Sequence, residues 1–325
     1  MRLTLWTLML TVLLTAALAA AIAFGGPGEV PPMPSINDPF KHVDYSDLPA
    51  PSHFSARDDT RLTFRAYAPR GPMRGSVVLV HGSSANGRSL HVLARALADA
   101  GLAAYALDMR GHGDSGIKGQ IDHVGQLDDD LQDFMRSVMP ARPVTLAGFS
   151  AGGGFALRIA ASERQTMFDR YLLLSPFISQ DAPTYRPGSG GWVSIGMPRI
   201  VGLSLLDALG VHAFDTLPVT RFALNEQARA MLTPQYSFAL AKNFRPRADW
   251  RASIRAAGQP MQLLAGADDE AFYAERFAAL FQAEGKDLPV RLLPGIGHIA
   301  LTLDPRAVQA VVAAALGAPA APATH

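Results

Sequence analysis

One serine of the chain stands in a setting that would make it a nucleophile. After the apolar run Val144 to Ala147 comes Gly148-Phe149-Ser150-Ala151-Gly152, continued by Gly153-Gly154-Phe155-Ala156-Leu157. A G-x-S-x-G between a strand and a helix predicts a tight turn that forces the central serine into a strained backbone conformation, the flanking glycines leaving room for the chain to pass. The helix that follows would present its positive end to a developing oxyanion. A serine hydroxyl is a poor nucleophile at neutral pH. It needs an imidazole to take its proton and a carboxylate to fix that imidazole's tautomer. Histidines in glycine-bounded turns are His81, His112 and His298, and the adjacent acids Asp268 and Asp269 follow a late apolar run. A histidine base implies hydrolysis that rises through roughly pH 6.5, because the base must be neutral.

The elements that must hold these residues can be read from periodicity. Arg61 to Ala68 alternates polar and apolar side chains, as a half-exposed strand does. Continuous apolar runs follow at Ser76 to Val80, Leu102 to Leu107, Val144 to Ala147, Tyr171 to Leu174, Met261 to Leu264 and Val290 to Leu293. Strands buried on both faces have this pattern. Amphipathic stretches lie between them, at Ser89 to Ala100, Gln126 to Val138, Gly152 to Ala161 and Ala271 to Gln282. Strand alternating with helix predicts an α/β fold, a mostly parallel sheet with helices on both faces. The alternation stops over 179–259, which predicts a mainly helical cap inserted over the functional edge of the sheet. Within it Trp192, Met197, Ile200, Val201, Leu203, Leu205, Leu206 and Leu209 are dense in apolar area. A cap of this kind favours an uncharged, partly apolar substrate.

These segments together resemble the α/β-hydrolase superfamily, and within it the serine hydrolases of the monoacylglycerol lipase and lysophospholipase type, the serine aminopeptidase S33-like group. The resemblance covers about Arg61 to Ala315, the insertion being matched by position only. His81-Gly82-Ser83-Ser84 follows a strand where the family places its oxyanion loop, and Asp108-Met109-Arg110-Gly111-His112-Gly113-Asp114-Ser115 looks like its D-x-R-G-H-G-x-S turn. Gly266-Ala267-Asp268-Asp269 and Gly295-Ile296-Gly297-His298 each follow a late strand. The resemblance implies the order serine, acid, histidine, hence Ser150, Asp269 and His298. The family spacing, a glycine and then the acid three positions on, selects Asp269 over Asp268. It further implies oxyanion donors at the backbone N–H groups of Ser83 and Ala151, and loop-shaping roles for His81 and His112. Asp108, Arg110 and Asp114 are expected to pair within their turn, and Asp128-Asp129-Asp130 to form a solvated helix face.

The activity so implied is hydrolysis of a carboxylic ester with an apolar acyl group, such as a monoacylglycerol or lysophospholipid, through an acyl-enzyme and without a cofactor or metal. A serine at the elbow, rather than an aspartate, sets the chain apart from the epoxide hydrolases and haloalkane dehalogenases of the same fold. A proline iminopeptidase-like peptidase and an acyltransferase share the triad and are the alternatives. A non-enzymatic binding member would be expected to have lost one of the three residues.

Composition fits a large core: 49% of the 325 residues are hydrophobic and 18% charged, the amount a single domain of roughly 250 to 300 residues with tails would carry. The net charge of +1, without a long basic run, argues against a nucleic-acid surface. The absence of cysteine excludes disulfides, thiol nucleophiles and cysteine-ligated metals. The 22 residues from Leu3 to Phe24 are apolar except for Thr4, Thr7, Thr11 and Thr15, about the length that spans a bilayer core. This segment is a membrane anchor or, given A-x-A sites such as Ala17-Leu18-Ala19, a signal peptide. Either way Arg2 stays cytoplasmic and the body is exported, to the periplasm in a bacterium, whereas a buried core helix here would keep the protein cytoplasmic. A proline-rich linker or arm follows over 25–51, the hydrolase domain over 52–316, and a frayed tail over 317–325.

Overall fold

The computed structural model describes residues 2–33, 38–187 and 191–317. The tail read at 317–325 lies, from 318 on, outside the described residues, as does Pro34 of the arm. In chain order the strands are β1 (Ser52–Ser55), β2 (Arg61–Tyr67), β3 (Ser76–Val80), β4 (Ala103–Leu107), β5 (Val144–Phe149), β6 (Arg170–Leu174), β7 (Val193–Ile195), β8 (Pro218–Phe222), β9 (Gln235–Ser237), β10 (Met261–Gly266) and β11 (Val290–Leu293). Eight of them form one sheet in the order β1-β2-β4-β3-β5-β6-β10-β11. Its first two pairings are antiparallel and the rest parallel. The central strands β3 and β5 are buried along their whole length, which is why their sequences are apolar apart from Ser76 and Thr145.

The helices are α1 (Arg2–Phe24), α2 (His91–Asp99), α3 (Gln126–Val138), α4 (Ala151–Ala160), α5 (Met197–Ala208), α6 (Glu226–Met231), α7 (Phe238–Asn243), α8 (Trp250–Ala256), α9 (Phe277–Ala283) and α10 (Pro305–Ala315). Alternate residues of β3 feed two cores, one per face. Val78 and Val80 pack with Leu127 and Phe134 of α3 and Phe155 of α4. Val77 and Leu79 pack with Leu93 and Leu97 of α2 and Val311 of α10. The layered α/β architecture read from the sequence is therefore present. Helix α4, read as amphipathic, is buried at every residue, because it is enclosed between the sheet and later elements.

Two charge expectations are corrected. Asp128 and Asp130 do not form a solvated face: both are buried, Asp128 receiving the Arg158 Nε at 2.9 Å and Asp130 the Arg110 guanidinium at 2.7 Å. Asp129 pairs with Arg57 and Arg164. The reason is that each acid on α3 meets an arginine from a distant segment, which local sequence cannot display. Arg110 accordingly leaves its own turn for Asp130 and Asp58. Asp108 stays, accepting from the N–H of Asp114 at 3.1 Å and from that of Gly87 at 2.7 Å.

Between β6 and β10 the chain builds the cap from α5, α6, α7 and α8. It also contains an antiparallel sheet in the order β7-β8-β9, which the helical reading did not include. Those strands are three to five residues long and only partly buried, so no continuous apolar run marks them.

Helix α1 is apolar and its candidate membrane span, Thr4–Phe24, is unburied. The hydroxyls of Thr7, Thr11 and Thr15 donate to the carbonyls of Thr4, Thr7 and Thr11, each at 2.9 Å, so the polar interruptions satisfy themselves within the helix. The end of α1 is tied to the cap. Arg199 of α5 donates to the carbonyls of Ile22 at 2.7 Å and Ala23 at 2.9 Å, capping the last turn. The arm then lies on the body: the Arg88 guanidinium stacks on Tyr45, and Asp47 meets His91 at 3.1 Å and Arg95 at 3.2 Å.

Candidate active site

The parallel register brings the ends of β3, β5 and β10 to one edge, with Val80 beside Gly148 and Leu264 beside Leu174. Loops leaving that edge carry the candidate residues, as expected of an open α/β sheet. Ser150 caps α4 with φ 55° and ψ −116°, a backbone conformation that non-glycine residues avoid. Its N–H donates to Leu174 O and its carbonyl receives the N–H of Gly154 and Phe177, which holds the strained turn in place. The flanking glycines are required by contact. A Cβ on Gly148 would lie 2.0 Å from Gly152 O, and one on Gly152 would lie 2.4 Å from Val80 O and 2.5 Å from His81 O.

Ser150 Oγ lies 3.0 Å from His298 Nε2, and His298 Nδ1 lies 2.8 Å from Asp269 Oδ2. All three residues are buried. The other oxygen of Asp269 accepts the N–H groups of Ala271 at 2.8 Å and Phe272 at 2.9 Å. Burial pushes the Asp269 carboxyl up, but the charge and hydrogen bond of His298 and the N–H of Phe272 outweigh it and hold the group below its ordinary value. An ionised carboxylate only accepts, so Nδ1 carries the imidazole proton and Nε2 is left to accept from the serine. His298 is also clamped by its own N–H, donated to Glu270 Oε2 at 2.8 Å, and by the rings of Phe149 and Phe272. Asp268 is exposed and has no hydrogen bond or ion pair with His298, whose partners are Glu270, Asp269 and Ser150.

The remaining candidates fall as follows. Ser83 lines both cavities beside Ser150, and Ala151 lines one of them. Among the described residues neither of their N–H groups has a hydrogen-bond partner. Gly82 packs so close that a Cβ there would lie 3.2 Å from Ser150 Cβ. His81 does not approach Ser150: its Nδ1 bonds Gly82 O at 2.8 Å and its Nε2 receives Met109 N–H at 3.2 Å. His112 bonds Tyr236 Oη at 2.7 Å.

Sequence reasoning missed the cap's hold on the oxyanion loop. The Tyr236 hydroxyl accepts the N–H of Ser84 at 2.6 Å, and the Ser84 hydroxyl donates to Thr233 O at 2.6 Å. No motif signals these residues, since they act through a long-range contact. Asp207, His212 and Asp215, which by sequence form no obvious cluster and show no metal-ligand spacing, have candidate ligand atoms within 4.8 Å of one another in the cap. Asp207 is already ion-paired there with Lys242.

Two cavities meet at Ser150 and His298. One, of about 540 Å³, runs under the arm and is lined by Met33, Phe40, Val43, Tyr45, Met231 and Ile299 among others. The second, of about 340 Å³, lies under the cap and is lined by Phe177, Trp192, Ile200, Phe222, Phe244 and others. The arm's contribution was unreadable beforehand, because its apolar residues are scattered among prolines.

With this geometry in hand, residues 71–305 match the model of the family described as serine aminopeptidase, S33. The chain belongs to this family. Among curated relatives, the monoacylglycerol lipase of Mycolicibacterium smegmatis is 34% identical over 114 residues, 33% of this chain and 40% of that one. The human monoglyceride lipase is 29% identical over 165 residues, 49% of this chain and 53% of its own. The chain thus spans about half or less of the length of these two relatives. Among solved structures, a soluble variant of monoglyceride lipase from Saccharomyces cerevisiae, in complex with a substrate analog, superposes with a TM-score of 0.63 at 17% identity, covering 85% of this chain and 96% of that one. The family's α/β-hydrolase fold is the fold of this chain.

Proposed function

We propose that this family member is a serine hydrolase that cleaves carboxylic esters with an apolar acyl group, such as monoacylglycerols or lysophospholipids. The observation that carries the reading is the buried line from Ser150 Oγ through His298 to Asp269, at 3.0 and 2.8 Å, opening onto two largely apolar cavities. His298 Nε2 takes the serine proton as Oγ attacks the ester carbonyl, and Asp269 stabilises the imidazolium. The N–H groups of Ala151 and Ser83 receive the oxyanion, each such donor contributing on the order of 3 kcal/mol to the barrier reduction. Imidazolium then protonates the leaving alkoxide. Water, deprotonated by the same nitrogen, releases the acid from the acyl-enzyme. Two cavities suit an ester with an acyl side and an alcohol side.

The peptidase alternative is less well supported by the lining. It would need a free acid for the substrate's amino terminus, yet Glu270 is engaged by His298 N–H and Asp207 by Lys242. An acyl-chain series of p-nitrophenyl esters assayed beside aminoacyl-anilides tests the reading, with ester turnover expected and anilide turnover at background. Anilide cleavage exceeding that of every ester would overturn it. Inclusion of glycerol in the ester assay detects acyl transfer as a glyceride product.

The proposal extends to location: α1 is a retained membrane anchor with the hydrolase domain on the non-cytoplasmic side. The contacts of Arg199 with the carbonyls of Ile22 and Ala23 support this, since they hold the end of α1 on the cap, and cleavage after Ala23 would remove both acceptors.

A further inference from the structure

The cavity under the cap contains a cationic group that makes no ion pair among the described residues. Its charged lining consists of Asp207, Lys242 and Arg245, beside His298. Asp207 and Lys242 pair at 2.5 Å and cancel. His298 is committed to Ser150 and Asp269. Arg245, just after α7, donates from Nη1 to the neutral amide oxygen of Gln180 at 3.0 Å. Among the described residues no carboxylate oxygen lies within 4.0 Å of its guanidinium. Burial pulls this guanidinium below its ordinary pKa, and the field of Asp181 offsets that only in part. The walls of the same cavity are largely aromatic, with Phe177, Trp192, Phe222 and Phe244. Arg245 is thus a partly buried cation that feels the field of Asp181 but makes no ion pair among the described residues, and its remaining N–H donors are open to an anionic ligand in the cavity.

We propose that Arg245 is a subsite for an anionic group, a carboxylate or a phosphate, carried by the ester that Ser150 attacks. A guanidinium offers paired N–H donors matched to two oxygens of such a group. The lining then selects an amphiphile, apolar along the aromatic wall and charged where it reaches Arg245. The inference rests on the esterase reading of Ser150 for its setting, and its test is independent of turnover.

The test is binding to the full-length Ser150→Ala protein of three short probes that share one alkyl chain: hexanoate, hexyl phosphate and 1-hexanol. At least one anion is expected to bind about tenfold or more tightly than the alcohol, about 1.4 kcal/mol, and the tighter of the two identifies carboxylate or phosphate. Arg245→Gln in the same background is expected to remove the preference, and Arg245→Lys to keep part of it. Rising salt should weaken the anions and leave the alcohol unaffected. Equal affinities for all three probes would overturn the proposal, and this comparison needs no Arg245 variant to fold. A preference that survives Arg245→Gln in folded protein would also overturn it. Failure of the esterase reading would show elsewhere, as absent turnover of neutral esters by the Ser150 protein.

Discussion

Asp268 and Asp269 are neighbours of identical chemistry, and the difference in what they can do comes from which one the turn after β10 buries. Asp269 is enclosed, receives two N–H groups on one oxygen and faces His298 with the other. Asp268 points to solvent. Asp269→Asn is expected to lower kcat by about 10⁴-fold, because an amide in that place favours the wrong imidazole tautomer. Asp268→Asn should leave kcat within a small factor of the parent. Steady-state kinetics on a p-nitrophenyl ester distinguishes the two, and the reverse pattern would move the acid to Asp268. The motif located this pair, but choosing between them needed the family spacing, since two adjacent carboxylates look alike until burial separates them.

Elements were legible in proportion to how local their cause is. Strand β3 runs over Ser76–Val80 and helix α3 over Gln126–Val138, the same limits as their apolar patterns, because a central strand and a two-faced helix write their burial into consecutive residues. Strands β7, β8 and β9 are short and half-exposed, and the arm packs through scattered side chains; neither leaves such a trace. The acids on α3 show the same limit for charge. Asp128 looked solvated, yet it holds the buried Arg158 and also accepts from Asn243 Nδ2 at 2.7 Å. Asp128→Asn is therefore expected to destabilise the fold by about 3–5 kcal/mol, the cost of an uncompensated buried charge. A solvated position would change by about 0.5 kcal/mol or less. Denaturant unfolding of the detergent-solubilised chain decides between these values.

Across the whole molecule, the histidines around the oxyanion loop tie stability to pH. Burial lowers His81 to about 4 and drives His112 well below its ordinary value. In the unfolded chain both return to roughly 6.5. The unfolded state thus binds more protons as pH falls below about 6.5, so stability is full above that value and declines toward pH 4. Each histidine contributes a slope of at most about 1.4 kcal/mol per pH unit. Unfolding free energies measured across this range should fall with acidity, and His81→Gln should flatten the slope. A profile without slope between pH 6.5 and 4 would contradict the burial of both rings. The anchor is tested at the same scale by intact mass and fractionation: the chain should retain the whole of α1, residues before Leu18 included, and sediment with membranes. A soluble product beginning between Leu18 and Phe24 would instead identify a cleaved signal.

Every step of the proposed chemistry depends on the nucleophilicity of one hydroxyl. Treatment of the folded protein with a fluorophosphonate, followed by peptide mass mapping, reads that property directly. The account predicts a single covalent adduct on Ser150, absent from Ser150→Ala and much slower to form in His298→Ala. Folded protein that takes up no label, or that is labelled at another residue while Ser150 stays unmodified, would contradict it.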